Sequence, residues 1–147
     1  MAPAKIILFL LRLILGGVFI YAGALKIVDP AEFARAVHNF QLTPRLLSTL
    51  IAIYLPWLEV LAGLALILRR LPLGAALALT AMSAVFLIAL TSAWMRGLDI
   101  SCGCFSKEEH KIQTHFPQLF LRDAALLAAA VTLFIAEFRR PLQSRQP

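Results

Sequence analysis

The chemically promising residues of this chain are concentrated in one short stretch, Gly97-Leu98-Asp99-Ile100-Ser101-Cys102-Gly103-Cys104-Phe105-Ser106, which holds both of its cysteines. With one residue between them, the two α-carbons stand roughly 5.5–7 Å apart, overlapping the roughly 4.4–6.8 Å that a disulfide spans. Such a pair closes under strain, and Gly103 relieves the backbone part of it because glycine visits positive φ freely. A strained, exposed disulfide has a higher reduction potential than a structural one and passes its oxidation on to another thiol pair. As a clamp it would contribute little, since a bridge between near neighbours closes almost no loop. Thiol–disulfide exchange through Cys102 and Cys104 is therefore the leading expectation, with a local clamp or two unpaired thiols as the alternatives. Asp99, Arg122 and Asp123 are expected to form a polar collar that tunes the thiols, an arginine near a thiol favouring the reactive thiolate. A metal site is the other alternative: Cys102, Cys104, His110 and His115 offer two soft and two borderline ligands within fourteen residues. Such a set suits copper, zinc or mercury. Structural zinc, however, prefers two to four residues between its cysteines.

A second set of candidates consists of ionisable residues inside apolar runs. Arg12 lies roughly 9 Å from the start of its run, and Glu59 roughly 13 Å from the same face in the next. A charge at such depth is costly unless paired or hydrated, so the spacing predicts an Arg12–Glu59 ion pair, with a proton or quinone site in the interior as its functional alternative. Gly16, Gly23 and Gly63 recur at helical spacing near these charges and permit close helix approach. Pro56 is expected to bend its helix and free a carbonyl.

The elements that must position these residues follow from composition. The chain has 147 residues, 61% of them hydrophobic and 15% charged, with a mean hydropathy of +0.83. A soluble domain carries roughly 45–50% apolar and 25% charged residues. The reading is an all-α integral membrane protein, a four-helix bundle forming one domain over 1–147. Its spans cover about 6–25, 46–68, 72–94 and 119–138, and a polar tail occupies 139–147. The first run could also be read as a cleaved leader, with Lys5 as its positive start, but it exceeds the 7–15 apolar residues of a usual signal core.

Asp29-Pro30 opens a short interfacial helix between spans one and two, Asp capping and Pro occupying the first turn. In it Phe33, Val37 and Phe40 or Leu42 alternate with Glu32, Arg35 and His38 at helical spacing, as for a segment lying on a bilayer. The cysteines fall in the long connection between spans three and four. The net charge of +6 does not point to nucleic acid, because no basic stripe with interleaved aromatics exists. Lys5, Arg69, Arg70, Arg139, Arg140 and Arg145 crowd the short end segments instead. By the positive-inside rule both termini are cytoplasmic and the cysteine connection is periplasmic, where disulfides persist. Tyr21, Tyr54, Trp57 and Trp94 are expected as packing or interface aromatics.

Taken in order, Arg12, Gly16, Phe19, Gly23 and Lys26, then Leu55-Pro56-Trp57-Leu58-Glu59 with Gly63, then Gly97-Leu98-Asp99-Ile100 leading to Cys102-Gly103-Cys104-Phe105, resemble the DoxX-like superfamily of bacterial membrane proteins. Within it the sequence is most similar to the MauE branch, over about Leu8 to Phe138. Members usually carry Phe-Gly after the second cysteine, where this chain has Phe105-Ser106. The resemblance implies a four-helix inner-membrane bundle, similar in outline to quinone-coupled disulfide enzymes. It also implies a role in maturing a periplasmic, disulfide-rich methylamine dehydrogenase subunit, together with a thioredoxin-like partner. Cys102 and Cys104 would be the redox pair, and Arg12, Lys26 and Glu59 the intramembrane polar positions. With one cysteine pair, an internal two-pair relay is impossible.

Overall fold

The computed structural model describes residues 2–97 and 116–143, with side chains for 2–97 and 117–140. The cysteine connection, including Asp99, Cys102, Cys104, His110 and His115, lies outside the described residues. Among the described residues five helices follow one another: α1 Pro3–Val28, α2 Pro30–Asn39, α3 Arg45–Ile67, α4 Pro72–Met95 and α5 Phe116–Gln143. Four of them, all but α2, are long and apolar enough to cross a membrane, each exceeding the ~20 residues that a ~30 Å hydrocarbon core requires. The chain is a multi-pass membrane protein built as a helix bundle.

The helices bear out the four apolar runs: α1 and α5 extend theirs by about a turn at each end, and α3 and α4 match theirs to within a residue. Prolines at 3, 30 and 72 stand in first turns, where the missing N–H costs nothing. The α3–α4 connection is so short that Arg69 and Leu71 both adopt left-handed backbone, at φ 57° and 51°, and Arg70 N–H caps Ala65 O at 3.0 Å. In lipid, polar side chains must find partners within the protein. Thr80, Thr91 and Thr132 do so by donating to the carbonyls of Ala76, Leu87 and Ala128 four residues back, at 2.7, 2.8 and 2.7 Å.

Close packing of α1 on α3 rests on glycine. A Cβ added at Gly16 would lie 2.9 Å from the carbonyl oxygen of Gly63, one at Gly23 2.8 Å from that of Pro56, and one at Gly63 2.8 Å from that of Gly16. The two backbones thus run antiparallel in touch, at the small-residue contact that drives helix association where lipid replaces water. Pro56 sits buried inside α3, which continues through it. The core around this seam is Leu15, Phe19, Ala62, Leu66, Ala76, Leu79, Ala130 and Leu133. Ile14, Trp57, Val85 and Ile88 are among the large apolar side chains left exposed on the outer faces, as expected where the solvent is hydrocarbon.

The expected short helix between spans one and two forms as α2. Asp29 caps it by accepting from Glu32 N–H at 3.0 Å, and Phe33, Ala36 and Phe40 are buried against the bundle while Leu42 is exposed. Its apolar stripe faces the bundle, where Phe33 covers the buried Lys26 ammonium.

Candidate functional site

The interior holds two ion-pair clusters, and they are not the expected pair. Arg12 donates through Nη2 to Glu137, and the other oxygen of Glu137 accepts from Arg140 Nη1 at 3.2 Å. Lys26 Nζ contacts both oxygens of Glu59, at 2.6 and 2.8 Å. The expected Arg12–Glu59 bridge does not form. The glycine register places Gly16 against Gly63 and Gly23 against Pro56, so Arg12 faces the last turn of α3 while Glu59 stands about 12 Å further along the axis. Depths counted from the ends of the apolar runs missed this, because α1 overhangs the end of α3. Lys26 reaches Glu59 because side chains on a helix lean toward its N-terminus. On two antiparallel helices they lean toward each other.

The Lys26 ammonium is sealed by aromatic faces. Its Nζ lies 5.0 Å from the Phe33 ring centre on α2 and 5.4 Å from that of Phe86 on α4, within cation–π range. Phe86 in turn meets Phe40 edge to face, with ring centres 6.3 Å apart. The Arg96 guanidinium, at the end of α4, donates to Phe40 O. Lys26, named in the sequence only through the family resemblance, is thus the buried centre of this end of the bundle. Phe33 and Phe86 went unnamed as its partners because nothing in a linear pattern pairs an aromatic with a distant lysine.

Beside the Lys26–Glu59 pair lies a cavity of about 50 Å³, whose polar lining is Lys26, Glu59, Ser83, Arg122 and Asp123 and whose apolar walls include Phe19, Met82 and Phe86. Arg122 Nε bonds Asp123 Oδ1 at 3.1 Å, but Asp123 Oδ2 and Ser83 Oγ, both buried, have no hydrogen-bond partner among the described residues. Asp123 and Arg122 line this cavity, while the cysteine connection they were expected to underlie is outside the described residues. Ser83 was missed, since one serine in an apolar span gives no signal. Glu137 was read only as a span end. A cavity of roughly 150 Å³ is known to admit benzene, and a water needs only about 10–15 Å³, so this space is sized for a few waters. It does not fit a quinone ring, and no step is assigned to a quinone. Among the described residues no three metal-ligating side chains gather, and the alternative metal set lies outside them.

The chain leaves α4 at Met95 and re-enters the bundle at Phe116. Cys102 and Cys104 are therefore joined covalently to the two helices that contribute Ser83, Phe86, Arg122 and Asp123 to the cavity.

Comparison with known proteins follows the same span. The profile of the family described as "Methylamine utilisation protein MauE" matches residues 4–136. The chain is 36% identical over 128 residues to the methylamine utilization protein MauE of Paracoccus denitrificans, covering 86% of this chain and 68% of that protein. No solved structure matches it.

Proposed function

Because the chain belongs to the MauE family, we propose that it is a membrane component of methylamine utilisation that exchanges thiols and disulfides through Cys102 and Cys104. In this reading it is a bacterial inner-membrane protein of the DoxX-like superfamily, forming one domain, with both termini cytoplasmic and the cysteine connection periplasmic. Its client is a disulfide-containing periplasmic protein, such as a methylamine dehydrogenase subunit. A client thiolate attacks one sulfur of the Cys102–Cys104 disulfide and a mixed disulfide forms. The client's second thiolate then displaces the bound cysteine, leaving the client oxidised and Cys102 and Cys104 reduced. A thioredoxin-like partner in its disulfide form returns the pair to the oxidised state by the same exchange in reverse.

The observation that supports this best is the Cys-Gly-Cys sequence itself, placed between the ends of α4 and α5. A pair so close contributes little as a clamp and much as an exchangeable bond. The test is genetic and chemical together. In cells carrying Cys102→Ser or Cys104→Ser, client thiols are expected to remain alkylatable where the unaltered protein leaves them bridged. A single-serine variant should also trap a mixed disulfide with its partner. Client disulfides that form equally in both variants would overturn the reading.

A further inference from the structure

The interior carboxylates are bonded unequally, and that inequality has a chemical use. Glu59 has both oxygens held by the Lys26 ammonium, at 2.6 and 2.8 Å. Asp123 has only Oδ1 held, by Arg122 at 3.1 Å, through a side chain that is 30% exposed. Its Oδ2 is buried without a partner among the described residues, as is Ser83 Oγ, and both residues line the same cavity of about 50 Å³. A buried, half-bonded carboxylate inside a membrane bundle is costly. It can be relieved by a hydrogen-bonding water or by a proton, and the cavity has room for a few waters with several polar groups to hold them.

We propose that this cavity is a hydrated proton-exchange site, in which Asp123 takes up and releases the proton and Ser83 bonds the water that carries it. The step is a simple transfer. An O–H bond forms at Asp123 Oδ2 while one breaks on a protonated cavity water, which is left neutral; the reverse releases the proton, and nothing is oxidised or reduced. The charged groups facing Asp123 come from every packed element: Lys26 on α1, Glu59 on α3 and Arg122 on its own helix, with uncharged Ser83 on α4. Lys26 and Glu59 neutralise each other, and the Phe33 and Phe86 rings cover the ammonium. Asp123 is therefore the group left to respond.

The test is infrared difference spectroscopy of the purified full-length protein in lipid nanodiscs as pH is lowered through the neutral and mildly acidic range. It requires no thiol activity, so it stands or falls apart from the exchange reading. The expected result is a carbonyl stretch of a protonated carboxyl group that grows on acidification. It should be lost in Asp123→Asn and shifted in frequency in Ser83→Ala. Should Asp123→Asn fail to fold, Ser83→Ala decides alone, since it removes one hydroxyl and no charge. Absence of a titrating carboxyl band overturns the proposal, as does a band that survives Asp123→Asn or is unmoved by Ser83→Ala.

Discussion

At the scale of single residues, Lys26 and Glu59 hold each other as a buried ion pair. Removing one partner of a buried ion pair typically costs about 3–5 kcal/mol, because the other is left charged and unpaired, whereas replacing both with apolar groups is often neutral or stabilising. Lys26→Met and Glu59→Gln should therefore each lower the denaturation midpoint sharply, while the double variant recovers most of the loss. Thermal melts of the four proteins in one detergent would show this as strong non-additivity; additive losses would mean that Lys26 and Glu59 do not act as a pair. The same holds at the opposite end of the bundle, where Glu137 joins Arg12 to Arg140. Which residues would be ionised at depth was legible in the sequence for Arg12 and Glu59. Their partners were not, because pairing depends on a helix register that no local pattern encodes.

At the scale of elements, the α1–α3 seam sets that register. A Cβ at Gly23 would fall 2.8 Å from Pro56 O, whereas one at Gly17 would meet nothing within 4 Å. Gly23→Leu should separate the two helices and pull Glu59 from Lys26, with a loss of at least the ~1–3 kcal/mol typical of overpacking. Gly17→Ala should be neutral or gain up to ~1 kcal/mol from helix propensity. Comparing their thermal melts checks the seam directly; similar effects from both would contradict it. The existence of every helix was legible, since lengths of apolar sequence and proline or aspartate at helix starts carry that information locally. What α2 packs against inside the protein was not legible. Its apolar stripe looks the same whether it faces lipid headgroups or, as here, Phe86 and the Lys26 ammonium.

At the scale of the whole molecule, antiparallel order brings the start of α1, the α3–α4 turn and the end of α5 to one end of the bundle, with Lys5, Arg69, Arg70, Arg139 and Arg140 among them. In the proposed topology that end faces the cytoplasm. Native Cys102 and Cys104 should react with a membrane-impermeant maleimide added outside spheroplasts after reduction. A cysteine introduced at Arg70 in a Cys102→Ser, Cys104→Ser background should react only after the membrane is opened. The reverse pattern would invert the topology and remove the compartment in which the proposed exchange operates. The proposed orientation rests on charge asymmetry, which is a property of whole connections. Sequence alone could not show that the bundle interior is polar on the side where α4 and α5 lead into the cysteine connection.

The central claim is that Cys102 and Cys104 form an exchangeable bond, and their midpoint potential tests it most directly. The full-length protein would be equilibrated in thiol buffers of graded potential, and the fraction reduced read by mass-shift alkylation. The expected result is an intramolecular disulfide that cycles reversibly, with a potential well above the roughly −300 mV below which structural disulfides lie. A pair that remains bridged down to that range, or two thiols that never bridge and are alkylated only after a chelator is added, would contradict it.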